Sequence, residues 1–76
     1  MIEPQDLEQR LLAAFPDAEI DLEDLTGTKD HYRARIVSQA FSGMSLIEQH
    51  QLVYRALAEE MKGPIHALSL KTSARG

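Results

Sequence analysis

Three histidines carry most of the capacity for chemistry in this chain, because it contains no cysteine. His31 opens a segment of alternating residues, His50 lies within a helical pattern, and His66 follows a Gly-Pro pair at the start of a short apolar segment. An imidazole that is fixed at the start of a strand suits metal ligation or proton transfer, because the backbone holds its direction. The alternative interpretation is that these rings are half-buried, hydrogen-bonded structural residues.

His31 and His66 form a candidate metal pair if their two strands are parallel neighbours. Both residues then lie at the same end of the sheet, on the order of 5–10 Å apart, given the spacing of neighbouring strands. Two neutral imidazoles can bind a transition metal, but they do not complete a coordination shell. The other ligands would have to come from a partner or a small thiol. The alternative is that both histidines merely fill strand ends.

No signature of an enzyme accompanies these histidines. The chain has no Gly-x-Ser-x-Gly motif and no cysteine for a Cys–His pair, and its glycines do not form a phosphate-binding loop. Its clustered carboxylates are typical of solvated strand and helix faces: Glu19, Asp21, Glu23, Asp24, Glu59 and Glu60. We therefore expect no catalytic activity. His50 falls on an apolar helix face, which indicates a packed or partly buried ring, and contact with a partner is the alternative.

The length and net charge of the chain limit the classes of protein to which it can belong. The 76 residues predict one small domain over 1–76, with a core at 4–72 and a frayed tail at 73–76. Eight basic and twelve acidic residues give a formal charge of −4, which argues against binding driven by nucleic-acid phosphates. Neither a membrane-spanning run nor a signal peptide is recognisable, so the expected location is cytoplasmic.

The first half of the chain predicts a helix and a β-hairpin. Apolar residues at helical spacing predict a helix over Pro4–Phe15. Strict alternation predicts strands at Ala18–Glu23 and His31–Ser38, joined by a hairpin-like loop at Asp24–Asp30. The outward residues of the first strand are acidic and those of the second are basic, which favours antiparallel pairing.

The second half predicts a long helix and a third strand. Ser45 and Glu48 form a capping box that opens a helix over Leu46–Lys62, and a Gly-Pro pair ends it. The segment Ile65–Thr72 follows as a strand. The expected core stripe of the helix is Leu46, Val53, Leu57 and Met61, flanked by Ile47 and Tyr54.

These elements predict an α+β two-layer sandwich, in which helices cover one face of a three-stranded mixed sheet. The order is helix, strand, strand, helix, strand. The crossover helix allows the third strand to lie parallel to the second or to the first.

Several short motifs, in this order along the chain, resemble the BolA-like family. They are His31-Tyr32, Ile36-Val37-Ser38, Phe41-Ser42-Gly43, Gln49-His50-Gln51-Leu52-Val53-Tyr54, Leu57 and Gly63-Pro64-Ile65-His66-Ala67-Leu68. The resemblance covers residues 4–72, and its most specific part is Ile65-His66-Ala67-Leu68 after Gly-Pro. It implies a fold like the class II KH domain, with a possible extra short helix near Gln39-Ala40-Phe41.

The same resemblance implies a partner and a cofactor. BolA-like proteins pair with monothiol glutaredoxins that carry a Cys-Gly-Phe-Ser motif, and the pair shares a [2Fe–2S] cluster with glutathione. The family's histidine on the last strand is a cluster ligand, and this position is His66 here. The second ligand comes from the loop after the first strand, where some members place a cysteine. That position is Thr28 in this chain, which leaves His31 as the nearest candidate.

Two other functions remain open at this stage. The family has also been viewed as transcriptional regulators, although the helix here reads Glu48-Gln49-His50-Gln51 and is less basic than in members with that tendency. The surface to test for nucleic-acid contact includes His50 and the basic residues Arg33, Arg35, Arg55, Lys62, Lys71 and Arg75. The third hypothesis is a scaffold that contacts glutaredoxin without touching iron.

Overall fold

The computed structural model describes residues 1–75 and contains the predicted order of helix, strand, strand, helix and strand, with the second helix divided in two. In chain order they are α1 (Pro4–Ala14), β1 (Glu19–Asp24), β2 (His31–Ser38), a 3₁₀ turn (Gln39–Phe41), α2 (Leu46–Ala56), α3 (Ala58–Lys62) and β3 (Ala67–Ala74). The expected short helix is therefore present as the 3₁₀ turn. The predicted tail was placed wrongly, because Ser73 and Ala74 belong to β3, and Gly76 lies outside the described residues.

The sheet has the order β1-β2-β3, with β2 in the centre. β1 runs antiparallel to β2, which confirms the hairpin, and β3 runs parallel to β2. Of the two placements that the sequence left open, the structure takes the one beside the second strand. In this register His31 lies opposite Ala67, so the residue before β3 is brought to the start of β2.

The core lies between one face of the sheet and the helices. Tyr32, Ala34 and Ile36 of β2 are fully buried, whereas Arg33 and Arg35, which alternate with them, are exposed. α1 packs on β1 and α2 packs on β3. The other buried apolar residues are Leu7, Leu11, Phe15, Phe41, Val53, Leu57 and Ile65. This arrangement confirms the two-layer sandwich, with an outer sheet face that no element within residues 1–75 covers.

The predicted helix Leu46–Lys62 is wrong at Leu57, which separates α2 from α3. Leu57 has φ −105° and ψ 21°, although its N–H still bonds to the carbonyl of Val53 at 3.0 Å. Neither glycine nor proline marks the break, so the pattern gives no warning of it. The bend leaves Leu57 fully buried and turns Glu60 toward α1, where Arg10 Nε lies 3.7 Å from its carboxylate.

The predicted core stripe is wrong at Leu46, which is 61 % exposed. The position that packs inward is Gln49, because its amide finds partners on both sides. Thr72 Oγ1 donates to Gln49 Oε1 at 2.6 Å, and Gln49 Nε2 donates to the carbonyl of Met44 at 3.0 Å. A polar group whose hydrogen bonds are satisfied can be buried at little cost.

The capping box is confirmed. Ser45 N–H donates to Glu48 Oε1 at 2.9 Å, and Glu48 N–H donates to Ser45 Oγ at 3.2 Å. The backbone N–H of Ser45 lowers the pKa of Glu48, and the Ser45 hydroxyl contributes further. The N-terminus of α2 is therefore fixed by its own side chains.

Candidate metal centre

The rings of His31 and His66 lie side by side at the start of the parallel pair β2–β3. Their centroids are 5.0 Å apart and the ring planes are tilted by 50°. This confirms the proximity that the sequence predicts if the strands are parallel neighbours. His66 is exposed and the side chain of His31 is 33 % exposed, so a ligand can reach the pair from solvent.

One correction concerns how His66 is placed. The third strand was predicted over Ile65–Thr72, but β3 begins two residues later, at Ala67. Ile65 is packed into the core at 2 % exposure, and His66 occupies the single position between this buried residue and the strand. The ring is therefore held by a buried anchor on one side and a strand ladder on the other.

The spacing of the two rings suits a shared metal ion. At an imidazole nitrogen–metal distance of about 2.0–2.1 Å and tetrahedral angles, two imidazole centroids lie about 5 Å apart. Within residues 1–75, no group of three or more histidine or carboxylate side chains is arranged to hold a metal ion. The pair can thus provide two ligands to a metal whose remaining ligands come from elsewhere.

Asp30 contacts both histidines, and sequence reasoning missed it. Its Oδ1 lies 2.8 Å from His31 Nδ1, and its backbone carbonyl accepts the N–H of His66 at 2.7 Å and the N–H of Ala67 at 3.1 Å. The hydroxyl of Thr28 also donates to Oδ1. The Thr28 hydrogen bond lowers the pKa of Asp30, and the bond to His31 lowers it further. A signal was available in the sequence, since an acidic residue directly precedes His31.

Thr28, the position where the resemblance places a cysteine in some members, serves the loop itself. Its hydroxyl bonds to Asp30 and lies 2.5 Å from the hydroxyl of Thr26. Thr28 therefore contacts Asp30, which in turn contacts His31.

The loop between β1 and β2 is closed by Asp24. One oxygen of its carboxylate accepts the N–H of Gly27 and the other accepts the N–H of Lys29, both at 3.0 Å. Gly27 and Lys29 have φ angles of +76° and +60°, so the chain turns through the left-handed region twice. This conformation disfavours Lys29, and the hydrogen bond from its N–H to Asp24 compensates.

Residues that precede α1 also bond to the loop between β1 and β2. Ile2 N–H donates to the carbonyl of Lys29 at 2.8 Å, and the hydroxyl of the buried Tyr32 donates to the carbonyl of Ile2 at 2.6 Å. Lys29 Nζ pairs with Glu3 at 2.8 Å. The segment that carries Asp30 and His31 is consequently fixed at both ends.

His50 lies on α2 and is partly buried, as predicted. Its Nε2 is shielded from solvent and has no hydrogen-bond partner within the described part of the chain. The structure therefore gives His50 a packed ring rather than a place in the histidine pair.

The basic residues do not form one surface. Arg33, Arg35 and Lys71 lie on the outer face of the sheet, whereas Arg55 and Lys62 lie on the helices that cover the opposite face. Four of the six candidates pair with carboxylates: Arg33 with Glu23 at 2.9 Å, Arg35 with Asp21 at 2.8 Å, Lys62 with Glu59 at 3.5 Å and Arg75 with Glu19 at 3.8 Å. Within residues 1–75, these six candidates therefore do not assemble into one phosphate-binding face.

Comparison with known proteins identifies the family. The model of the family described as BolA-like protein matches residues 13–76. This chain belongs to the BolA-like family. An uncharacterised protein of Rickettsia prowazekii is 42 % identical over 71 residues, which cover 93 % of this chain and 92 % of that protein.

Some relatives in the BolA-like family are longer than this chain, and one has a name that states a function. The DNA-binding transcriptional regulator BolA of Escherichia coli is 32 % identical over 73 residues, covering 87 % of this chain and 70 % of that protein. The match to mouse BolA-like protein 1 spans only 33 % of that protein's length. A crystal structure of a BolA-like protein from Babesia bovis superposes with a TM-score of 0.87 at 32 % identity, covering 100 % of this chain and 88 % of that chain.

The fold of this BolA-like chain is that of its solved relatives, as expected from the order of its elements. Every helix within residues 1–75 is too short or too polar to traverse a bilayer.

Proposed function

We propose that this BolA-like protein is an iron–sulfur adaptor. It pairs with a monothiol glutaredoxin that carries a Cys-Gly-Phe-Ser motif, and it shares a [2Fe–2S] cluster with that partner and glutathione. His66 and His31 are its ligands. It has no turnover of its own, and it changes the stability, potential or destination of the cluster.

The observation that carries this proposal is the pair of rings, one exposed and one partly exposed, with centroids 5.0 Å apart. A cysteine-free chain with two accessible imidazoles, and with no group of three side chains arranged to hold a metal within residues 1–75, suits a site that a thiol-bearing partner completes. The position of His66 also matches the ligand that the family resemblance implies.

The residues of this chain perform binding and orientation. His66 is held by its backbone N–H on the carbonyl of Asp30, and the ring of His31 is held by the Asp30 carboxylate. When bound, the cluster supplies one-electron redox chemistry and transferable iron and sulfide. Neutral imidazoles in place of thiolates leave it less negative, which raises its potential by the logic of Rieske centres.

The test is a titration of cluster-loaded glutaredoxin with the apo-protein, followed by visible absorption and circular dichroism. We expect the wild-type chain to shift both spectra at one equivalent, and His66→Ala to abolish the shift. His31→Ala should weaken the complex or alter its spectrum. His50→Ala is the matched control, because this histidine lies outside the pair, and it should behave as wild type.

Each remaining outcome points elsewhere. A complex that forms without any spectral change would support the scaffold hypothesis instead of ligation. A normal shift with His66→Ala would contradict the assignment of His66. Absence of a complex would direct the search to another partner.

Nucleic-acid binding is the second candidate, favoured by one observation, the name of the Escherichia coli relative as a DNA-binding regulator. Two properties of this chain oppose nucleic-acid binding: its formal net charge of −4, and the pairing of Arg33 and Arg35 with carboxylates. A binding isotherm on duplex DNA at several salt concentrations tests it, since each phosphate contact contributes about −0.9 to the log–log slope. We expect a shallow slope, and a steep slope that Lys71→Ala or Arg55→Ala reduces would revive this function.

A further inference from the structure

We propose that Asp30 is the positioning residue of the histidine pair: its carboxylate holds His31 as the Nδ1–H tautomer with Nε2 available to a metal, while its carbonyl fixes the backbone of His66. This inference deepens the proposed function and rests on it for the identity of the metal group.

The direction of the hydrogen bond to His31 follows from the partners of Asp30. Asp30 Oδ1 accepts the hydroxyl proton of Thr28, and an ionised carboxylate has no proton to donate. The contact of 2.8 Å between Oδ1 and His31 Nδ1 is therefore an N–H donated by the ring. In the neutral imidazole the other nitrogen, Nε2, then carries the free lone pair that a metal requires.

This arrangement is the one by which proteins orient metal-binding histidines. A ligating histidine usually donates its second ring N–H to a carboxylate or a carbonyl, which fixes the ring and makes the metal-binding nitrogen more basic. The remaining ring in the pair, His66, has no side-chain hydrogen bond within residues 1–75, so only its backbone is restrained. The two histidines are thus held by one residue in different ways.

The two halves of the Asp30 contact can be separated by mutation. Asp30→Ala removes the carboxylate and keeps the carbonyl that accepts the N–H groups of His66 and Ala67. Asp30→Asn keeps the size of the side chain but replaces an acceptor-only carboxylate with an amide that can also donate to Nδ1, so it should no longer fix the tautomer. Thr28→Val removes only the hydroxyl that orients the carboxylate, so its effect should be smaller than that of Asp30→Ala.

The first measurement uses the apo-protein alone. Long-range ¹H–¹⁵N spectra at about pH 8, above the ordinary range of histidine titration, report which ring nitrogen of His31 carries the proton. We expect the Nδ1–H form in the wild type, and an Nε2–H population in Asp30→Ala, as is usual for an unrestrained ring, and in Asp30→Asn, where the amide can donate to Nδ1. His66 and His50 serve as internal references whose spectra should stay constant.

The second measurement uses Cu²⁺ as the probe, since it is the divalent first-row ion that imidazole binds most tightly. Titration followed by electron paramagnetic resonance gives the affinity and the number of coordinated ring nitrogens. Loss of a hydrogen-bonded outer partner typically weakens metal binding by about 10- to 100-fold, and we expect this for Asp30→Ala and also for Asp30→Asn, whose amide no longer holds Nε2 free of its proton. His31→Ala marks the limit in which one ligand is missing.

The outcomes separate this inference from the proposed function. An unchanged tautomer, or a Cu²⁺ affinity within about twofold of wild type in Asp30→Ala, overturns the role of Asp30 even if glutaredoxin titrations succeed. A changed tautomer and weaker Cu²⁺ binding, together with no response of cluster-loaded glutaredoxin to the wild type, support Asp30 and defeat the adaptor proposal. Thermal unfolding of each variant identifies any loss of fold, in which case Asp30→Asn and Thr28→Val carry the test.

Discussion

The hydroxyl of Thr72 donates a hydrogen bond of 2.6 Å to the side-chain oxygen of Gln49, and both residues are buried. This bond joins α2 to β3, the strand that follows His66. Because the amide of Gln49 also donates to the carbonyl of Met44, one side chain ties the helix, its preceding turn and the last strand together.

We expect Gln49→Ala to reduce the free energy of unfolding by about 1–3 kcal/mol, because it leaves the buried hydroxyl of Thr72 and the carbonyl of Met44 without their partner. A separate cycle uses the single variants Gln49→Leu and Thr72→Val and their combination. The double variant removes both polar partners, so its destabilisation should be smaller than the sum for the two single variants. Urea unfolding of the four proteins in this cycle measures the coupling. Strict additivity would contradict the interaction.

A second prediction concerns the loop that carries Asp30. Asp24→Ala removes the acceptor for the N–H groups of Gly27 and Lys29 and should cost about 1–3 kcal/mol. It should also speed amide exchange in residues 25–30 and weaken the contacts between the rings of His31 and His66 in nuclear Overhauser spectra.

The matched control for Asp24→Ala is Glu23→Ala, one residue earlier. In the described part of the chain, Glu23 is exposed and pairs only with Arg33 on the outer sheet face, so its loss should cost less than about 1 kcal/mol. Equal effects of the two variants would show that the closure of the loop by Asp24 is energetically unimportant.

The third prediction is a loss of stability in acid that depends on Asp17. The backbone N–H of Gln39 and then the hydroxyl of Ser38 lower the pKa of Asp17 in the folded chain. A lowered folded pKa adds stability at neutral pH, and this contribution disappears as the pH falls below about 4 through the folded pKa.

Asp17→Asn should therefore narrow the difference in unfolding free energy between neutral and acidic solution. Ser38→Ala removes only one of the two donors to Asp17 and should give an intermediate slope. Urea titrations over a series of pH values below neutrality measure how the free energy of unfolding changes with pH in each variant. An acid slope identical to wild type in Asp17→Asn would disprove the contribution.

A fourth prediction applies at high pH. Burial, followed by nearby carboxylates, raises the pKa of Tyr32 above its ordinary value. A raised folded pKa means that the stability from the neutral phenol is present below about pH 10 and is lost as the pH rises through the folded pKa.

Tyr32→Phe should remove this alkaline loss and cost about 1 kcal/mol at neutral pH, since the carbonyl of Ile2 loses its hydroxyl donor. Tyr54→Phe is the control, because Tyr54 is 40 % exposed and its hydrogen bond to the carbonyl of Leu68 is longer, at 3.2 Å. Unfolding monitored by far-ultraviolet circular dichroism avoids interference from the titrating phenols.

The parts of the fold that were predicted correctly are those set by residues close together in the sequence. The bounds of β2 follow from alternation that begins directly after a loop, and the start of α2 follows from the capping box of Ser45 and Glu48. The proximity of His31 and His66 was predictable because parallel neighbours bring equivalent strand ends together.

The parts that were missed depend on contacts between distant segments. Gln49 packs inward and Leu46 does not, because Thr72 supplies a hydrogen bond that a periodic pattern cannot reveal. Asp30 orients the site because its carbonyl meets the N–H groups of His66 and Ala67, and this meeting exists only when β3 lies beside β2. The break at Leu57 has no local signal of its own.

The parallel pairing of β2 with β3 has a consequence during synthesis. His31 is made before the crossover helices and His66 after them, so a nascent chain that ends at α3 contains only one ring of the pair. Under the proposed adaptor function, cluster acceptance would be restricted to molecules that have finished folding, and a labile cargo would be kept from immature copies.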